Sequence, residues 1–163
     1  APLLKFYEEN PDFVLPSHRF NEIKNFVEAG LNDFSVSRLK EKMPWGVLVP
    51  DDEKHVMYVW FDALVSYIST LGWPASAEAS AGKPDETGTF AFWPGVQVAG
   101  KDNLRQQAAM WQAMLMSAGV APSKQIFIHG FITSGGQKMS KSLGNVVDPF
   151  EQVAEYGTDA VRY

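Results

Sequence analysis

Short apolar runs alternate with helical segments along the middle of the chain, and this order constrains the fold more than any other feature. Apolar runs of strand type lie at 55–61, 92–99 and 125–128, and helical segments lie at 63–71 and 104–117. β-Branched and aromatic residues are common in the runs, as in buried strands. Because a strand–helix–strand order joins parallel strands through crossovers, the sequence predicts an α/β fold with a parallel sheet and flanking helices.

The remaining segments fit around this centre. Helical spacing predicts helices over 3–9 and 17–31, and shorter apolar runs predict strands at 33–38 and 45–50. The segment 75–89 is rich in Ala, Ser, Gly, Pro and acidic residues, and we expect a surface loop there, the best candidate for disorder. Asp148 and Pro149 predict the capped start of a last helix.

Polar or aromatic groups stand at the ends of the three predicted central strands. They occupy 60–62, 100–103 and 129–141. In open parallel sheets, ligands bind beyond the carboxyl ends of the strands. The sequence therefore predicts that the three groups meet in one shared site.

The third group suits a phosphate chain. Ser134, Gly135 and Gly136 break regular structure, and Lys138 and Lys141 follow three residues apart. Two ammonium groups in a compact loop can stabilise the charge that grows as pyrophosphate leaves. A solvated loop with two ordinary lysines is the alternative, and the residues alone favour it because short motifs recur by chance.

The other two groups also allow two interpretations. Gly100 permits a close backbone approach, and Asp102 can accept hydrogen bonds from the hydroxyls of a ribose. The alternative is a turn with Asp102 as a helix cap. Trp60 and Tyr67 can wall an apolar pocket in which Ala63 leaves room. The alternative there is a buried corner between strand and helix.

Composition limits the classes of function. The 163 residues carry a formal net charge of −5 with a pI of about 5.1, so the chain lacks a general basic surface for nucleic acid. It contains no cysteine, which excludes disulfides and cysteine-ligated zinc and fits a cytoplasmic protein. No apolar run is long enough for a membrane span, and the first residues do not form a signal peptide. The chain does not begin with Met, and we expect it to be a piece of a longer protein.

The motifs resemble those of a known family. Residues 138–142 read Lys-Met-Ser-Lys-Ser, the KMSKS motif of class I aminoacyl-tRNA synthetases, after a strand that ends in His-Gly. The preceding Trp-Phe-Asp-Ala segment at 60–63 and the Gly-Lys-Asp segment at 100–102 stand in the order found in methionyl-tRNA synthetases. The resemblance extends from about Phe6 to the end of the chain. It implies a Rossmann-like class I synthetase nucleotide-binding half-domain.

The resemblance also implies site residues and partners. The partners are ATP with Mg²⁺, L-methionine and tRNA(Met), with no zinc site or other metal site in this segment and no membrane. Lys141 is expected to contact the pyrophosphate as the critical catalytic lysine, with Lys138 assisting. The methionine side chain is expected to bind Trp60, Ala63 and Tyr67, with a possible hydrogen bond from Gln107. ATP is expected to lie against Gly100, Asp102, His129, Gly130 and the backbone of Ile132.

The chain departs from the family's pattern in two respects. The family usually has a hydrophobic residue and a Phe-His pair where this chain has Asn103, Gln106 and Gln107, and Leu64 replaces a proline found in some members. The His-Ile-Gly-His motif of the family's amino-terminal half, its connective insertion and its anticodon-binding domain are absent from these residues. We therefore expect the carboxyl-side half of a catalytic domain, inactive alone.

The domain prediction follows the same resemblance. Residues 1–44 are expected to be a helical lead-in from the family's connective region, and 45–147 the second half of the catalytic domain. Residues 148–163 are expected to begin the following helical, stem-contact region. Two other functions stay open: a non-catalytic module that binds nucleotide or tRNA, and a class I synthetase for another amino acid. The oligomeric state is unknown.

Overall fold

The structure, a computed structural model, describes residues 2–73 and 88–163, and these fall into two compact units. The larger unit ends at Ile128, and the smaller unit runs from His129 to Tyr163. Most of the surface loop predicted at 75–89 lies outside the described residues. Its last residues begin a 3₁₀ helix at Gly88–Phe92.

A three-stranded sheet forms the centre of the larger unit. Its strands are β1 (Val14–Leu15), β5 (Val96–Gly100) and β6 (Gln125–His129), in the order β1-β6-β5. β1 and β6 are parallel, with Val14 opposite Ile126. The α/β fold with a parallel sheet is therefore confirmed, but β1 lies in a segment for which only helices were predicted. A strand of two residues is too short to leave an alternating pattern in the sequence.

Helices pack on this sheet and enclose the first hydrophobic core. They are α1 (Pro2–Glu9) and α2 (Ser17–Glu28), whose buried faces include Tyr7 and Ile23. The helix predicted over 17–31 ends at Glu28, and Gly30 takes a positive φ of 97° just beyond it.

A second, antiparallel sheet lies in the same unit. It consists of β2 (Ser37–Leu39), β3 (Leu48–Val49) and β4 (Asp52–Met57), with β4 in the middle. The strand predicted over 55–61 was therefore wrong in two ways, since it ends at Met57 and does not join the parallel sheet. Within the predicted span, Val56 is buried in β4 between the half-buried His55 and Met57, and the apolar residues after Met57 begin α3 (Val59–Ser69) instead.

The segment between β5 and β6 changes helical type twice. A 3₁₀ turn at Lys101–Asn103 leads to a π-helical turn at Gln106–Met110, and α4 (Trp111–Ser117) follows directly. A single α-helix over 104–117 was predicted. With α3, this segment encloses a second hydrophobic core around Trp111, Leu64 and Ile68.

The smaller unit begins with a hairpin. Strands β7 (Thr133–Ser134) and β8 (Gln137–Lys138) are antiparallel and are joined by Gly135 and Gly136. Both glycines have positive φ, at 58° and 78°, as a type I′ turn requires. The glycine pair thus breaks regular structure as predicted.

Three helical segments complete the smaller unit. They are a 3₁₀ turn at Lys141–Leu143, α5 (Pro149–Tyr156) and α6 (Thr158–Arg162). The predicted cap of α5 is confirmed, because the Phe150 N–H donates to Asp148 Oδ1 over 2.7 Å. In the part of the chain that the structure describes, no helix combines the length and apolarity needed to cross a bilayer.

Candidate functional site

Three predicted methionine-pocket residues lie on one face of α3. Trp60, Ala63 and Tyr67 follow one another at spacings of three and four, so they project from the same side of the helix. Ala63 is exposed, Tyr67 is 37 % exposed, and Trp60 packs against the second core. The three residues thus lie near a corner between β4 and α3, as the alternative interpretation expects. They are not all buried there, because Ala63 and Tyr67 are exposed.

Gln107 reaches this face from the π-helical turn. Its Nε2 donates a hydrogen bond of 2.9 Å to the Tyr67 hydroxyl oxygen. The Gln107 side chain is buried, at 2 % exposure, and its Oε1 has no protein partner. The ring of Tyr67 also lies 6.0 Å from that of Trp111. The structure therefore brings together Gln107 and Tyr67, which are forty positions apart in the sequence.

The predicted ribose group stands where β5 ends. Gly100 is the last residue of the strand, and Lys101–Asn103 form the 3₁₀ turn after it. The amino-terminal cap position of that turn is Gly100, so Asp102 lies within the turn and is not its cap. The Asp102 side chain is exposed. Both residues thus occupy a carboxyl strand end of the parallel sheet, as the ribose prediction requires.

The predicted nucleotide residues of the smaller unit precede the hairpin. His129 Nδ1 lies 2.6 Å from the Gly130 carbonyl oxygen and must donate to it, because a carbonyl oxygen only accepts. A β-carbon at Gly130 would meet no atom within 4 Å, so the backbone is open to approach there. Ile132 is exposed, and its carbonyl accepts from the Met139 N–H over 3.2 Å.

The two predicted catalytic lysines follow in the same unit. Lys138 is in β8, with its Nζ 3.9 Å from the centre of the Phe131 ring. Lys141 begins the 3₁₀ turn, and both lysines are exposed. The hydroxyls of Ser140 and Ser142, on either side of Lys141, share a hydrogen bond of 2.6 Å.

Asn145 ties the ends of this lysine loop together. Its Oδ1 accepts from the Ser140 N–H at 2.9 Å, and its Nδ2 donates to the Lys138 carbonyl at 3.2 Å. Asn145 is not among the predicted site residues. An asparagine just after a glycine in the left-handed region, Gly144 with a φ of 65°, is the kind of side chain that hydrogen-bonds nearby backbone.

The larger unit also contains an apolar groove of about 820 Å³ on a neighbouring face of α3. Phe61, Val65 and Ile68 form one wall, and Met110 and Trp111 face them. None of the predicted methionine or ribose residues lines it. The residues that line the groove include none from the strand ends of the parallel sheet. The predicted methionine pocket is therefore a different place, formed by the exposed face of α3 and Gln107.

Residues 2–73 and 88–163 contain no group of three or more His, Cys, Asp or Glu that could hold a metal ion. It stays a prediction that the three groups of residues serve one site. The role of each residue also stays a prediction.

Comparison with known proteins identifies the class. Residues 2–163 match the family described as tRNA synthetases class I (M), and the chain therefore belongs to that family. Methionine–tRNA ligases of Rickettsia typhi and Mesorhizobium japonicum are 51 % and 50 % identical to it over 163 and 161 residues. These alignments cover 99 % of this chain but only 30 % and 29 % of the two relatives.

Solved structures agree with the sequence relatives. Methionyl-tRNA synthetase of Mycobacterium tuberculosis bound by methionyl-adenylate is 44 % identical and superposes with a TM-score of 0.82, covering 99 % of this chain and 30 % of that one. Its free form is 40 % identical, with a TM-score of 0.75, and 99 % and 29 % are covered. The Rossmann-like class I fold is thereby confirmed. The chain spans about 30 % of the length of these proteins.

Proposed function

We propose that this chain is the carboxyl-side half of the catalytic domain of a methionine–tRNA ligase, with residues 138–142 as its KMSKS motif. The observation that carries the proposal is the match of the whole chain, predicted site segments included, to ligases of that specificity at about half identity. The activity proposed for the full-length protein is the ATP-dependent activation of methionine, followed by its transfer to tRNA(Met) in the cytoplasm.

Methionine recognition is assigned to the α3 face. The thioether side chain is polarizable and packs well against aromatic rings, which Trp60 and Tyr67 offer, while Ala63 leaves space between them. The Gln107 amide holds the Tyr67 hydroxyl oxygen as an acceptor, so the hydroxyl hydrogen is directed elsewhere. This fixed hydroxyl supports a polar contact at one point of an otherwise apolar pocket.

ATP binding is assigned to residues at and just after the ends of β5 and β6. Asp102 accepts hydrogen bonds from the ribose hydroxyls, and Gly100 lets the nucleotide approach the backbone. His129, Gly130 and the backbone of Ile132 lie along the nucleotide. ATP enters as its Mg²⁺ complex, which is the substrate and not a resident cofactor.

The nucleophile of the proposed reaction is the methionine carboxylate, so the protein needs to supply none. Its contribution is to position the reactants and to stabilise charge. A carboxylate oxygen of methionine attacks the α-phosphorus of ATP, and the bond from that phosphorus to the bridging oxygen breaks. Pyrophosphate leaves with the electron pair, and Lys141, assisted by Lys138, stabilises its growing charge. A terminal hydroxyl of tRNA then attacks the methionyl carbonyl carbon and gives up its proton. The bond from that carbon to the phosphate oxygen breaks, and AMP leaves with the electron pair.

A second function is favoured by one observation, the glutamines at 106 and 107 in place of the family's Phe-His pair. A synthetase for another amino acid could use them to read a polar side chain. Measuring ATP–pyrophosphate exchange by the full-length protein with each of the twenty amino acids tests both functions. Exchange that depends on methionine supports the proposal, and exchange with another amino acid alone overturns it. No exchange at all, with tight nucleotide or tRNA binding, supports a binding module.

A further inference from the structure

Buried hydrogen bonds connect the parallel sheet to the α3 face, and Gln112 is at their centre. The path runs from Gln97 in β5 through Ser123 and Gln112 to the backbone of Gln107. All four residues are buried, and Gln112 is completely so, at 0 % exposure. Buried polar side chains are costly unless their partners are fixed, so such a path holds its members rigidly.

Every polar atom of the Gln112 side chain has a partner. Its Nε2 donates to the Gln107 carbonyl at 2.8 Å and to Ser123 Oγ at 3.1 Å. Its Oε1 accepts from the Ser123 N–H at 3.0 Å. Removal of this amide therefore leaves a buried carbonyl of the π-helical turn without its side-chain donor.

The backbone of that turn departs from the α-helical pattern, and side-chain partners help to hold it in this form. π-Helical turns are rare and are often found at functional sites. Two consecutive carbonyls of this one accept from side chains outside it: Gln107 from Gln112, and Ala108 from the Tyr7 hydroxyl at 2.6 Å. The same turn carries the Gln107 side chain that donates to Tyr67.

We propose that Gln112 is a positioning residue for amino-acid recognition, which acts by holding the π-helical turn so that the Gln107 amide meets the Tyr67 hydroxyl. The inference rests on the proposed function. Without Gln112 the turn can return to the α-helical pattern, in which each residue is rotated by about 100° from the one before. Such a change of register moves Gln107 away from Tyr67. We expect it to affect Gly100 and Asp102 less, because they are held at the end of β5.

The experiment compares four variants of the full-length protein. Gln112→Met removes the amide at nearly constant volume, Gln107→Leu removes the contact with Tyr67, and the third variant combines both. Gln97→Leu is the matched control, because it removes a glutamine from the same path whose hydrogen bond goes to Ser123 and not to the turn. Methionine and ATP KM values and kcat are measured by ATP–pyrophosphate exchange, with thermal unfolding alongside.

We expect Gln112→Met to raise the methionine KM roughly tenfold, as for loss of one buried hydrogen bond, and to change the ATP KM less than about twofold. Gln97→Leu is expected to lower thermal stability without changing the methionine KM. The combined variant is expected to be no worse than Gln107→Leu, because both changes break the same contact.

Three results overturn the inference: an unchanged methionine KM in Gln112→Met, equal rises in both KM values, or additive effects in the combined variant. If Gln112→Met fails to fold, Gln112→Asn repeats the test, since it keeps the amide but withdraws it by one methylene. A folded Gln112→Asn with an unchanged methionine KM is equally decisive. A wild-type protein without methionine-dependent exchange refutes the proposed function instead.

Discussion

Lys138 and Lys141 are three positions apart, but the backbone holds them in different settings. Lys138 belongs to a strand and lies over the Phe131 ring, whereas Lys141 opens a 3₁₀ turn. The face of the Phe131 ring attracts the ammonium group of Lys138. The ammonium group of Lys141 belongs to the part of the loop that follows Ser140.

Alanine at Lys141 is therefore expected to lower kcat for methionine activation more than alanine at Lys138. The size expected for Lys141→Ala is about 10²–10³-fold, the usual loss when one group that stabilises transition-state charge is removed. Pre-steady-state measurement of adenylate formation by the full-length protein provides the values. Equal losses at the two positions, or no loss at Lys141, contradict the assignment.

Asn145 acts on the same loop through the backbone. It joins the Ser140 N–H to the Lys138 carbonyl and so closes the loop around both lysines. Asn145→Ala is expected to lower kcat for activation roughly tenfold, since one or two hydrogen bonds of about 1 kcal/mol are lost, with little change in the methionine KM. Asn145→Asp keeps the acceptor for Ser140 and loses only the donor, so its kcat should fall between wild type and Asn145→Ala. The reverse order of the two variants refutes this role.

Among elements, the segment from β5 to β6 departs furthest from what the sequence predicts. Helical spacing and apolar content correctly indicate helix over 104–117, but the pattern cannot reveal that five residues adopt a π-helical turn. That turn is stabilised by the distant Tyr7 and by the side chain of Gln112, five residues from Gln107, and neither contact leaves a local periodicity in the sequence. Gln112 itself stands between apolar neighbours, and an isolated amide on a buried helix is a signal that sequence reasoning can use.

The position of Tyr7 leads to a prediction about stability. Its hydroxyl donates to the Ala108 carbonyl at 2.6 Å in the first core, and burial raises the pKa of Tyr7 above its ordinary value. Tyr7→Phe is expected to lower the free energy of unfolding by about 1–3 kcal/mol, because the Ala108 carbonyl loses a buried partner.

The pH dependence of this loss has a definite sign. Since the pKa of Tyr7 is raised by folding, its contribution is complete below about pH 10, where tyrosine is neutral even when unfolded. Above that pH the unfolded tyrosine ionises first, and the advantage of wild type over Tyr7→Phe should shrink. Urea unfolding of both proteins at pH 8 and at pH 10.5 measures the difference. A difference that grows between these pH values refutes the prediction.

At the scale of the whole molecule, the sequence predicts that the fold contains a parallel sheet. It does not predict which strands belong to that sheet and which to the antiparallel sheet. The run at 55–61 is apolar enough for a buried strand, yet its second half begins α3, and its first half pairs in an antiparallel sheet. The prediction of a methionine pocket does not depend on this error, and it stays a prediction. Helical spacing gathers Trp60, Ala63 and Tyr67 on one face more closely than a strand end would.

The length of the chain relative to its relatives leads to the last prediction. Because it spans about 30 % of them, we expect the purified 163-residue chain to catalyse no methionine-dependent ATP–pyrophosphate exchange. The resemblance implies that a His-Ile-Gly-His motif also positions ATP, and that motif does not occur in these 163 residues. Positioning supplies much of the rate in such a reaction. The full-length protein, assayed at the same concentration, is the positive control. Circular dichroism and cooperative urea unfolding of the short chain distinguish a folded, inactive half from one that has not folded. Exchange by the short chain above the rate without protein contradicts the prediction and assigns the whole adenylation site to these residues.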